Sequence, residues 1–313
     1  MTVHLRKYAW VCGLAVLFCA LLIVTRLIQP SFGASGLESL ARAALPFAFA
    51  AAGMAVVVIV GGIDLSVASM MAVCAVTAAV LMESMAGVPA LVAVLALGLG
   101  MGAINGALIV LTRVPDIVVT LAMLFVWEGL ALLILPTPGG ATADWLQQAI
   151  RGFVLIEWLP KALVITVACA VLVWLPIRRN KLGLSIYAVG SDERAAFRSG
   201  VAVGRTKIAA YGLCGLFCAF GGLSLAALTG IGEPVPGPYL LASVAAVVLG
   251  GCVLGGGKGG LLGPIIAVFI LRIIRTILTL MAVDPNVTTI VEGTIMVGVV
   301  MLGTALTLGG ARR

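Results

Sequence analysis

The stretch AALPFAFAAAGMAVVVIVGGIDLS (residues 43–66) runs for eighteen residues without a charge and then breaks on a glycine pair and a carboxylate. A helix crossing the hydrocarbon core of a bilayer needs roughly 20 apolar residues, so residues 43–60 fit one crossing. Gly61 and Gly62 permit backbone angles that other residues avoid, and a second apolar run begins at Val67. Asp64 is placed to accept hydrogen bonds from the N–H groups that open this next helix, with Ser66 as a further cap. A carboxylate at mid-membrane costs about 2.5–3.5 kcal/mol by insertion scales, so Asp64 belongs near an interface or a helix end. A helix cap and a direct contact with a transported solute both suit this cluster.

The same pattern repeats along the chain. Apolar stretches fall near 8–27, 43–60, 67–86, 90–111, 117–136, 161–177, 208–229, 240–255, 262–281 and 289–308, the third and eighth being short or interrupted by glycine. The residues are 62% hydrophobic and only 10% charged, whereas a soluble domain is about a quarter charged. Most of the surface therefore faces lipid. The expected fold is an all-α polytopic bundle of about ten transmembrane helices in a single permease domain, residues 1–313, with an inverted repeat. Arg6 and Lys7 precede the first run, but that run is long for a secretory signal and no small-x-small cleavage site follows it, so a retained first span is expected.

The net charge of +7 does not point to nucleic acid, because the basic residues cluster beside apolar spans, as orientation signals do. Loops rich in Lys and Arg stay cytoplasmic. Seven such residues (Arg178, Arg179, Lys181, Arg194, Arg198, Arg205 and Lys207) fall between residues 178 and 207, and only an N-in, C-in arrangement keeps them inside. This long charged stretch is the natural place for a cytoplasmic partner to bind. Residues 137–160, with Pro136 and Pro138 at their start and Trp145 and Trp158 within, are expected outside as a loop with an amphipathic segment at the interface.

Catalytic and metal-binding chemistry find no footing. Seven cysteines show no CxxC or Cys/His spacing, the only histidine is His4, and no Ser/His/Asp grouping exists. Gly257-Lys258 has part of a phosphate loop, but Cys252 and Gly259 stand where that motif needs Gly and Ser or Thr, so no nucleotide, ATP or Mg site is expected in this chain. Gly98, Gly100, Gly102 and Gly106 suit close helix packing, and Asn105 among them either packs across helices or faces a pathway. Glu83, Glu128, Arg272, Arg275 and Glu292 are ionisable residues inside spans, which are costly and hence functional candidates; snorkelling of those near helix ends is the other reading.

Gly61-Gly62-Ile63-Asp64-Leu65-Ser66 followed by Val67-Ala68-Ser69 resembles the hallmark of the ribose/xylose/galactose-type permeases of ABC importers. The resemblance continues in Ile104-Asn105-Gly106, in Val118-Val119-Thr120-Leu121, in Ala245-Ala246-Val247-Val248-Leu249-Gly250-Gly251 with the glycines up to Gly260, and in Tyr187 to Gly200. Translocation-pathway or helix-cap roles are expected for Gly61, Gly62, Asp64, Ser66, Asn105 and Thr120, which lie in these motifs, and for Glu128 and Glu292 by the cost of an ionisable group inside a span. The resemblance also implies that residues 187–200 are a short cytoplasmic coupling helix docking on an ATPase. Gly190, Asp192, Glu193, Arg194, Ala195, Ala196, Arg198 and Gly200 would make that element: the alanines admit a partner backbone closely, the glycines end the helix, and the charges rim the contact.

Such a permease works with a cytoplasmic ATPase that binds ATP and Mg, a periplasmic or extracellular solute-binding protein, and a second permease subunit, in the bacterial inner membrane. The solute is then a monosaccharide or a sugar-like molecule. Where the family commonly has acidic residues before the paired alanines and before the Ala-Ala-Val-Val-Leu-Gly-Gly run, this chain has Arg194, Leu240 and Ala242, and Glu128 takes the place of a usual Arg. These departures suggest a related, non-identical permease partner in place of self-pairing. The rival reading is a secondary transporter driven by an ion gradient, since such proteins use repeats and broken helices and Gly-Gly elements follow Val-rich runs in both halves (Val56–Gly62 and Val247–Gly251). A channel is a further rival.

Overall fold

A computed structural model describes the backbone of residues 2–84, 87–235 and 237–310, with side chains left aside for residues 2–8, 299–300 and 302–310. The described residues form thirteen helices: α1 (Thr2–Ile28), α2 (Ala34–Ile59), α3 (Val67–Ser84), α4 (Gly87–Thr112), α5 (Asp116–Ile134), α6 (Asp144–Ile150), α7 (Lys161–Arg179), α8 (Lys181–Ser191), α9 (Glu193–Arg198), α10 (Val203–Thr229), α11 (Tyr239–Leu249), α12 (Leu262–Leu280) and α13 (Pro285–Gly310). Eight of them are long and apolar enough to cross a membrane. α13, with 26 residues, covers the tenth expected span. The eighth expected span, 240–255, is corrected: its helix stops at Leu249 after 11 residues, about 16 Å of rise, and a glycine-rich loop follows.

α2 sits at the centre, with 89% of its apolar window buried, flanked by α10 at 78% and α3 at 67%; α1, α5 and α7 lie at the rim with 22% or less. Small residues set how closely these helices approach. On α4, a Cβ at Gly98, Gly102 or Gly106 would strike α10 at Gly215 and Ala219, at Tyr211 and at Ile208, respectively. Three glycines spaced by four residues thus form one packing stripe. Gly100, also expected there, faces away with no neighbouring atoms. α1 docks on the far side, through the Phe18–Phe269 edge contact at 5.8 Å and a hydrogen bond of 2.9 Å from Trp10 Nε1 to the Leu249 carbonyl.

The two Gly-Gly elements end their helices identically. Gly61 N–H donates to Val58 O and Gly62 N–H to Val57 O, at 3.0 and 2.9 Å; Gly251 N–H donates to Val248 O and Cys252 N–H to Val247 O, at 3.0 and 3.1 Å. Gly61 and Gly251 carry the left-handed φ angles of +93° and +85° that this cap requires. Both ends lie on one face of the bundle, because a Cβ on Gly256 would meet Gly61. An inversion would put equivalent ends on opposite faces, so it does not relate this pair. Residues 137–160 hold α6, with Leu146 and Ile150 buried and Trp145 exposed.

Candidate functional site

The chain between α2 and α3 is anchored by a buried polar network. Ser66 donates to Asp64 Oδ1 through its backbone N–H at 2.9 Å and its hydroxyl at 2.7 Å. Asn105 Nδ2 donates to the Ser66 hydroxyl at 2.7 Å, and Trp127 Nε1 donates to Asn105 Oδ1 at 3.2 Å. Three elements are thereby tied: the α2–α3 elbow, α4 and α5. Alongside, Thr120 Oγ1 reaches Ile63 O at 3.2 Å and Asp116 O at 2.8 Å, and the Tyr211 hydroxyl donates to Asp116 Oδ2 at 2.9 Å. Gly62 is required beneath this pair, since its Cβ would run into the Tyr211 hydroxyl and Asp116 Oδ2.

Asp64, Ser66, Asn105 and Thr120 are all fully buried and lie together with Gly61 and Gly62 of the elbow; Ser66, Asn105 and Thr120 bond across elements, whereas Asp64 is held locally by Ser66. Asp64 Oδ2 has no hydrogen-bond partner among the described residues. Glu128 stands apart, half-buried on rim helix α5, and Glu292 pairs with Arg275 at 3.1 Å. Asp116, Trp127 and Tyr211 escaped sequence reading because their partners lie 22 to 95 residues away. The one available signal was a tyrosine in the Ala- and Gly-rich run that becomes α10.

Residues 178–207 are not a loop. α7 ends at Arg179, α8 and α9 follow, and α10 begins at Val203. Asp192 caps α9, its Oδ1 accepting from Ala195 N–H at 2.9 Å, and Gly200, at φ +83°, closes it. Gly190 stands one residue before the end of α8, buried, and its Cβ would overlap the Ile59 carbonyl at the end of α2. One expectation is corrected. Ala196 does not offer surface to a partner: it is packed inward at 5% exposure, while Ala195 is exposed. The prominent apolar side chain on α9 is Phe197, 71% exposed, flanked by Arg194 and Arg198 around a shallow depression. Glu193 is engaged with Lys207 of α10 at 2.8 Å.

Gly190 is where α8 meets the core. Gly257 N–H donates to Ile59 O at 2.9 Å, Gly256 abuts the Gly190 carbonyl, and the Tyr187 hydroxyl donates to Gly259 O at 2.9 Å. Burial pushes the Tyr187 phenol above its ordinary pKa, which keeps it a donor. α8 is thus clasped between the C-terminus of α2 and the loop after α11. Backbone meets backbone at this junction, so a displacement of α8–α9 has no soft side chain in which to dissipate.

A helical bundle with a central buried helix, glycine-capped elbows and eight helices long and apolar enough to cross a membrane is the architecture of a multi-pass membrane protein. The chain belongs to the family described as branched-chain amino acid transport system / permease component, which matches residues 36–300. It is 30% identical to the autoinducer 2 import system permease protein LsrD of Escherichia coli K12, over 96% of this chain and 94% of the relative. The corresponding proteins of Shigella flexneri and Escherichia coli O157:H7 match to the same extent. No solved structure matches the chain. Membership in a transport-system permease family gives no support to the gradient-driven reading.

Proposed function

We propose that this chain is the membrane-spanning permease of an ATP-binding-cassette importer for a sugar-like solute, of the autoinducer 2 kind. The observation that carries this reading is the near full-length likeness to import permeases of that solute, which runs through the Gly-Gly-Ile-Asp-Leu-Ser elbow. The family description names branched-chain amino acids, but the autoinducer 2 permeases that the chain resembles and the motif both favour a sugar-like cargo. A separate ATPase supplies energy, an external solute-binding protein delivers cargo, and a second permease subunit, identical or related, completes the pathway in the inner membrane.

In this reading α8–α9 is the handle. Phe197 and Ala195 seat in the ATPase, with Arg194 and Arg198 at the rim, and ATP-driven closure displaces the pair. The glycine junction at Gly190 passes that displacement to the ends of α2 and α11, biasing a two-state pathway. The polar network at Asp64 keeps the elbow rigid, and specificity comes mainly from the external receptor. Ala195→Asp with Phe197→Asp tests the handle, since both side chains are exposed and the fold tolerates the change. The purified variant is expected to insert normally and lose the co-purifying ATPase; a variant that retains its ATPase and full uptake removes this assignment.

A further inference from the structure

We propose that the crevice between α2, α11, α12 and α13 is a mid-membrane contact site for an oxygen-rich, uncharged solute, with Arg272 as its hydrogen-bond donor. This deepens the proposed function and rests on it. Arg272 is the eleventh of the 19 residues of α12, so it sits too deep to snorkel by either end. Its guanidinium lies over the Phe47 ring, 4.7 Å from the centroid, and Tyr239 packs against the same ring at a 47° tilt with centroids 4.5 Å apart. Its buried Nε has no hydrogen-bond partner among the described residues.

The neighbouring charges do not serve it. Glu292, the acid of the crevice, is held by Arg275 at 3.1 Å. A guanidinium at this depth needs acceptors, and an aromatic face meets only part of that need. What lines the opening is the donor fork of Arg272, the Arg275–Glu292 pair and apolar walls from Phe47, Ala242 and Met296. Planar donors beside an aromatic face suit a molecule with oxygens along its edge and C–H groups on its face. A sugar-like molecule has this pattern, and the crevice, about 40 Å³ in volume, admits one edge of it. A carboxylate of a second permease subunit is the competing acceptor.

The experiment uses the complete complex of permease, ATPase and receptor in proteoliposomes, with autoinducer 2 as probe. Arg272→Met keeps bulk and removes the donors; Arg272→Lys keeps one charged donor. In parallel, Met296→Cys in a Cys12→Ser, Cys19→Ser background is treated with a membrane-impermeant methanethiosulfonate. Uptake per ATP hydrolysed is expected to fall about ten-fold or more in Arg272→Met, the effect of losing a charge-assisted hydrogen bond, and less in Arg272→Lys, with subunit stoichiometry unchanged and Met296→Cys labelled from water. Unchanged uptake in Arg272→Met, loss of the second permease subunit from that variant, or labelling only by a lipid-permeant reagent each overturns the proposal. Failure of the unsubstituted complex to take up the probe on ATP would instead strike the proposed function, leaving water access to Met296→Cys as the remaining test of the crevice.

Discussion

At Asn105 one side chain serves two helices at once, donating to Ser66 and accepting from Trp127. Interhelical hydrogen bonds in membrane proteins average about 0.6 kcal/mol and rarely exceed about 1.7. Removing Asn105 strips the acceptor from the buried Trp127 N–H as well, so Asn105→Leu is expected near the top of that range, about 1–2 kcal/mol. Thermal unfolding in detergent measures it, and an unchanged midpoint would show that the network is not structural. At Gly190 the obstacle is steric: an added methyl meets backbone on two sides. Gly190→Ala is expected to keep the ATPase bound and hydrolysing while transported solute per ATP drops, and coupled transport at the original ratio would deny the junction its role. The Gly-Gly-Ile-Asp-Leu-Ser run was legible as a capped turn from its residue types alone. Its partners were not, because Asp116 and Trp127 on α5 and Tyr211 on α10 reach it only through tertiary packing.

At the scale of elements, the apolar runs translated well, because hydrocarbon leaves a helix as the only single-segment way to satisfy a spanning backbone. The misreadings share one cause. Residues 178–207 carry many charges and look like a loop beside such apolar neighbours, yet Asp192 and Gly200 are helix start and stop signals and they enclose α9. The inward face of Ala196 was equally hidden, since a six-residue helix has too little periodicity to tell its two sides apart. Caps of this type contribute about 1 kcal/mol, so Asp192→Ala is expected to loosen α9 and weaken ATPase binding several-fold without abolishing it. Pull-down at graded ATPase concentration measures this, and unaltered affinity would mean that α9 is held by its packing. The Glu193–Lys207 pair is more exposed, and such surface pairs are worth about 0–1 kcal/mol. Lys207→Met is therefore expected to leave uptake nearly unchanged, and a large loss would place Lys207 in the ATPase contact itself.

For the molecule as a whole, the charge pattern and the architecture point the same way. Seven of the 19 basic residues belong to the segment that folds into α8, α9 and their flanks, and the ends of α2 and α11 gather on that face. In the proposed function this face is cytoplasmic and receives the energy. Vesicles holding the permease with its ATPase and solute-binding protein measure that assignment most directly, by following uptake of autoinducer 2 with and without ATP. Uptake that needs all three proteins and ATP is the predicted result; accumulation by the permease alone, driven by an ion gradient, would contradict it.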